Sequence, residues 1–130
     1  MPLTDLVASN AILPALKVNN KKQVLHELAA RAAVLTGQNE RAIFDILMQR
    51  EKLGSTAVGR GVALPHAKSS SIDRVLGIIG RSKRPVQWSS DPNGQPATTI
   101  YLLLTPESRP GDGLRALESM SRWLRGLDEI

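Results

Sequence analysis

Three glycines, Gly54, Gly59 and Gly61, divide this chain into two halves that cannot fold alike. Before them, apolar residues recur at helical spacing. After them come β-branched and apolar runs broken by Pro, Gly, Asn and Asp. Asn19-Asn20 can cap a helix that starts near Lys21 and carries Val24, Leu25, Leu28, Ala32 and Leu35 on one stripe, with Gly37 as its stop. A second helix starts at the cap Asn39 with Glu40 in its first turn. Ile43, Phe44, Ile46 and Leu47 form its apolar stripe, and it ends with Arg50 and Lys52 before Gly54. Acids in the first turn and cations in the last both complement the helix dipole.

Residues 55–72 are small or β-branched and punctuated by glycine, which predicts short extended pieces joined by tight turns. Val75 to Ile79 reads as a buried strand. Pro85-Val86-Gln87-Trp88 reads as a short edge strand, where proline is tolerated. Asp91-Pro92-Asn93-Gly94 is a turn signal that implies an antiparallel hairpin into the strand Thr98 to Leu104. Pro106 to Gly113 reads as a loop, with Asp112 capping a last helix that carries Leu114, Leu117, Met120, Trp123, Leu124 and Leu127. The order helix, helix, strands, helix implies a mixed sheet covered by helices, of the α/β or α+β class.

The length of 130 residues predicts one domain, spanning 1–130. No apolar run approaches the roughly 20 residues that cross a bilayer. The N-terminus carries Asp5 and no basic stretch, so it does not read as a secretory signal, and a cytoplasmic protein is expected. Cysteine is absent, which excludes disulfides and thiolate chemistry. The net charge of +5 raises nucleic-acid binding as a reading. Against it, the densest basic spot, Arg81-Ser82-Lys83-Arg84, is short, and aromatics make up only 3%.

There are two histidines. His26 falls inside the first helix and reads as a surface or boundary residue. His66 follows Leu64-Pro65, so it leaves the end of a segment that proline makes extended and stiff. The glycine run before it has the two-glycine spacing of a P-loop, but Arg60 and Gly61 stand where Lys and Ser/Thr are needed. Gly59-Arg60-Gly61 opens like a dinucleotide fingerprint, but position 64 is Leu. With both motifs unmet, the glycines suggest backbone amides turned toward an anion beside His66. Zinc chemistry and a serine nucleophile elbow lack their residues, and neither cofactor nor metal is expected.

The run Arg50-Glu51-Lys52-Leu53-Gly54-Ser55-Thr56-Ala57-Val58-Gly59-Arg60-Gly61-Val62-Ala63-Leu64-Pro65-His66-Ala67-Lys68 resembles the signature of the fructose/mannitol-type enzyme IIA domain of the phosphotransferase system, most of all its nitrogen-regulatory branch. Pro85 to Trp88, Asp91 with Gly94-Gln95-Pro96, and Thr99 to Pro106 follow in the family's order, so the resemblance covers nearly the whole chain. It implies an α/β sandwich whose mixed sheet has helices on both faces. It also implies one phosphorylated histidine, which falls on His66. The implied donor is an HPr-like phosphocarrier, and the phosphorylation state regulates partner proteins.

In-line phosphoryl transfer needs positioning and stabilisation of spread negative charge more than covalent machinery. Arg50, which matches the family's arginine, the Thr56 hydroxyl, and the backbone from Gly59 through Arg60 and Gly61 to Val62 are the candidates. Arg60 is either a phosphate contact or a solvated cation, and Lys68 reads as solvated. Many relatives have a second histidine where this chain has Gly113, so Asp112 is the candidate for orienting His66 in its place. The chain ends at Ile130, short of where the family domain usually ends, and the edge this leaves suggests association into oligomers. The rival readings are a sugar-type IIA that passes phosphate to a separate IIB, and an interaction module that is never phosphorylated.

Overall fold

The computed structural model describes residues 7–89, 94 and 96–128. Strand β1 (Val7–Leu16) leads into helix α1 (Lys21–Thr36) and helix α2 (Glu40–Leu53). Three short strands follow: β2 (Ala57–Gly59), β3 (Val62–Ala63) and β4 (His66–Ser69). Two long strands, β5 (Leu76–Val86) and β6 (Ala97–Pro106), and helix α3 (Pro110–Asp128) complete the order.

Both expected helix starts are present. The Asn20 side chain accepts from the Gln23 amide, and the Asn39 side chain accepts from the Ala42 amide. Gly37 stops α1 at a φ of 73°, which glycine adopts without the clash of a Cβ. The stripes bury Val24, Leu25, Leu28, Ala29 and Ala32 from α1, and Ile43, Phe44 and Leu47 from α2.

The sheet is mixed, in the order β1-β5-β6-β3-β2, with β4 also paired to β6. β5 and β6 are antiparallel, as the hairpin signal implied, although Asp91, Pro92 and Asn93 lie outside the described residues. β1 runs parallel to β5, and β3 and β4 run parallel to β6, while β2 and β3 are antiparallel. Along β6 the faces alternate. Ile100, Leu102 and Leu104 join the core under α1 and α2, while Tyr101 and Leu103 pack with Ala116 and Met120 of α3. Helices therefore cover both faces, as expected for the α/β class. Each fully buried leucine contributes about 1.5–3 kcal/mol of hydrophobic stabilisation.

Three expectations need correction. Val75–Ile79 and Pro85–Trp88 are not two strands, and the second is no edge. β5 is a single strand between β1 and β6. Pro85 is tolerated because the register to β6 shifts between Arg81 and Val86, so no ladder bond is asked of it there. The last helix begins at Pro110, with Asp112 in its first turn and not at its cap. Leu114, on the same helix, is 60% exposed. The strand β1 had no clear signal, since Pro14 and Asn10 interrupt any alternation. The side chains of Trp123, Leu124 and Leu127 lie outside the described residues.

Candidate functional site

β3 and β4 lie end to end along one side of β6, separated by Leu64-Pro65. Val62 pairs with Thr99, and His66 pairs with Leu103. The Pro65 carbonyl accepts from the Leu103 amide at 3.0 Å, which holds the proline on the sheet where it has no N–H to offer. His66 thus opens a strand and is rigidly placed. The end of α2, from one face of the sheet, and the start of α3, from the other, meet around β4. They enclose a cleft of about 690 Å³.

Within that cleft stand His66, Arg50, Lys68, Gln49 and Thr105, with Gly113 at its α3 wall. Ile46, Leu53, Leu114 and Leu117 supply an apolar lining, and Leu53 is 85% exposed at the rim. No carboxylate lines it among the described residues. Arg50 and Lys68 therefore make the cleft cationic, and its low-polarity walls strengthen their field. His66 and Lys68 are two residues apart on a strand and share a face. Arg50 donates through Nη1 to the Gly54 carbonyl at 2.9 Å, closing the end of its own helix and leaving the rest of the fork available.

The His66 ring is oriented by the main chain. Its Nδ1 lies 2.8 Å from the Leu64 carbonyl oxygen. A carbonyl only accepts, so Nδ1 carries the proton and the neutral ring presents the Nε2 lone pair. Asp112 does not take the orienting role proposed for it. Its carboxylate is held by Arg115 and, at 3.8 Å, by Arg109, both on the same helix end. The Leu64 carbonyl left no trace in the sequence, because every residue carries one.

The other expected phosphate ligands lie elsewhere. Gly59, Arg60 and Gly61 form the β2–β3 turn, with φ of 90°, 56° and 78°. In register along β6, Val62 is four residues from His66, about 13 Å at the rise of a strand. The glycines serve the turn, and the Gly61 carbonyl accepts from the Thr98 and Thr99 amides. Thr56 is buried. Its hydroxyl donates to Glu51 and accepts from Trp88 Nε1 at 3.0 Å, so it has no proton left for a phosphate. Lys68, read as solvated, is exposed as expected, and it also lines the cleft. At Gly113, an added Cβ would lie 3.0 Å from Thr105 Cβ, so this wall of the cleft is already filled. His26 is an exposed helix residue as expected, stacked on Phe44 with centroids 3.8 Å apart.

A family model described as "Phosphoenolpyruvate-dependent sugar phosphotransferase system, EIIA 2" matches residues 5–130. The chain belongs to the phosphotransferase-system EIIA type 2 family. Among its relatives is a nitrogen regulatory protein of Bradyrhizobium diazoefficiens, 57% identical over 128 residues, which cover 98% of this chain and 83% of that protein. The structure of the nitrogen regulatory protein IIA-Ntr from Neisseria meningitidis superposes with a TM-score of 0.81 at 30% identity, covering 89% of this chain and 79% of that one. The Escherichia coli complex of enzyme IIA-mannitol with phosphorylated enzyme IIB-mannitol shares the fold, with a TM-score of 0.74 at 15% identity, covering 92% and 83%. As a member of this family, the domain is a phosphotransferase-system component closely related to the nitrogen regulatory IIA proteins.

Proposed function

We propose that this domain carries a phosphoryl group on His66 Nε2, receives it from the phosphohistidine of an HPr-like protein, and regulates partner proteins according to whether His66 is loaded. The 130 residues act as one domain in this reading, in the cytoplasm where such donors work. No described helix is long and apolar enough to cross a membrane. The observation that carries the proposal is the 2.8 Å contact between His66 Nδ1 and the Leu64 carbonyl: it spends Nδ1 and leaves Nε2 to a cationic cleft free of carboxylates among the described residues.

The chemistry follows from that placement. The Nε2 lone pair attacks phosphorus in line as the donor's P–N bond breaks, and the leaving imidazole keeps the bonding electrons. A neutral imidazole needs no deprotonation to attack, so no general base is required. The Nδ1 proton stays on its bond to Leu64, where it supports the charge that the ring gains. Arg50 and Lys68 stabilise the equatorial oxygens, Arg50 with a fork and Lys68 as a point charge. The exposed Leu53 and Leu114 at the rim suit the apolar part of a docking protein and exclude water from the transfer.

The test is incubation with phosphoenolpyruvate, the upstream enzyme and its HPr-like carrier. Acid-labile, base-stable label should appear on the wild type and be absent from His66→Ala. Label that persists in His66→Ala overturns the assignment. Passage of the label onto an added IIB domain would favour the sugar-type reading instead.

A further inference from the structure

Glu51 is the only charged residue among the buried ones described, with its side chain 4% exposed. Burying a carboxylate is costly unless it is paired and hydrogen-bonded. Here it is both. Lys21 Nζ lies 2.8 Å from Oε2, the Thr56 hydroxyl donates to Oε1, and the Thr56 amide lies 3.4 Å from Oε2. The indole of Trp88 donates to the same Thr56 hydroxyl at 3.0 Å, and Lys21 Nζ sits 5.3 Å from a Trp88 ring centroid. No buried side-chain nitrogen or oxygen among the described residues is left without a partner.

This cluster lies outside the cleft, yet it is wired to both of its principal groups. Glu51 is the neighbour of Arg50 on α2. Consecutive helical residues are set about 100° apart, so locking Glu51 into the core fixes the direction from which Arg50 leaves the helix. On the other side, the Thr56 carbonyl accepts from the Leu64 amide at 2.9 Å, and the Leu64 carbonyl holds His66 Nδ1 at 2.8 Å. A path of hydrogen bonds joined by the backbone of Thr56 and Leu64 therefore runs from Glu51 to the imidazole. Such a path gains in stiffness from low polarity around it.

We propose that Glu51 and Thr56 form a buried positioning pair that sets the His66 tautomer and the Arg50 azimuth together, with Lys21 and Trp88 as its supports. The pair touches no phosphoryl group and acts through its neighbours. For its kinetic effect, the proposal rests on the reading of His66 and Arg50 given above. It assigns Thr56 a role different from the phosphate contact its position in the sequence suggested.

The test uses the full chain with Thr56→Val, which keeps the shape and removes the hydroxyl, and Thr56→Ser, which restores it. Steady-state phosphoryl transfer from the HPr-like donor is measured beside the long-range nitrogen–proton NMR spectrum of the His66 ring, which separates the Nδ1–H and Nε2–H tautomers. Thr56→Val should lower turnover about ten- to a hundredfold with the donor KM nearly unchanged, the scale expected when reacting groups are misplaced by an ångström or less. The ring should become a mixture of tautomers, and Thr56→Ser should recover both readings. Glu51→Gln, nearly isosteric, should shift both in the same direction and decides the matter if Thr56→Val does not fold. A folded Thr56→Val or Glu51→Gln with wild-type turnover and an undisturbed Nδ1–H tautomer overturns the proposal. A wild type that accepts no phosphoryl group overturns the carrier reading and not the pair, which the tautomer measurement then decides by itself.

Discussion

Arg50 is asked to do two things at once. One guanidinium nitrogen holds the Gly54 carbonyl, and the rest of the fork faces the cleft beside His66. Lysine can supply the charge but not both bonds in a fixed plane. Arg50→Lys should therefore keep part of the transfer rate, while Arg50→Ala should lose about 10²-fold or more, the usual cost of removing a preorganised charge-stabilising donor. Single-turnover transfer from the phosphorylated donor measures this directly. At this scale His66 and Arg50 were legible, because proline, glycine and the matching family run single them out. Lys68 was not, since its place in the cleft depends on a strand register that the sequence does not announce. Thr56 was misread for a related reason. Its hydroxyl is claimed by Glu51 and Trp88, and Trp88 is 32 residues away.

Among the elements, α1 and α2 were readable to the residue because their caps and stripes agree. β5 was not. Its two apolar segments are joined through a bulge that only the neighbouring strands reveal. The same strand contains a position where size is tightly limited. A methyl on Gly80 would lie 2.8 Å from Leu16 Cδ1 and 3.2 Å from Leu28 Cδ2, so β1 and α1 close over β5 only because that methyl is absent. Gly80→Ala should cost about 1–3 kcal/mol by overpacking. In urea denaturation the midpoint should fall with the slope unchanged. β1 was illegible because its pairing with β5 is long-range and its own residues alternate poorly.

For the molecule as a whole, a mixed sheet covered by helices was foreseeable from element order, and helices on both faces from the family resemblance. The two cores on either side of β6 follow from its alternation. Tyr101, on the α3 side, bears on stability at high pH. Burial pushes its phenol above the ordinary value near 10, with Arg81 pulling it partly back. A raised folded value means that the unfolded phenol gives up its proton first. This contribution is fully present below about pH 10 and fades as pH rises through the folded value. Comparing urea midpoints of wild type and Tyr101→Phe between about pH 8 and 10.5 should show the steeper alkaline loss in the wild type.

The main-chain origin of the His66 orienting bond has an evolutionary consequence. An orienting carboxylate can be lost through a single codon change, as any side chain can. The acceptor at position 64 survives every substitution there, because all twenty residues bring the same carbonyl. Lineages can therefore exchange one apolar group for another at 64, in the core with Tyr101, Leu103 and Met120, while the nucleophile keeps its orientation. What selection must guard is the path of the backbone. The partner surface is then left free to diversify around an invariant reacting nitrogen.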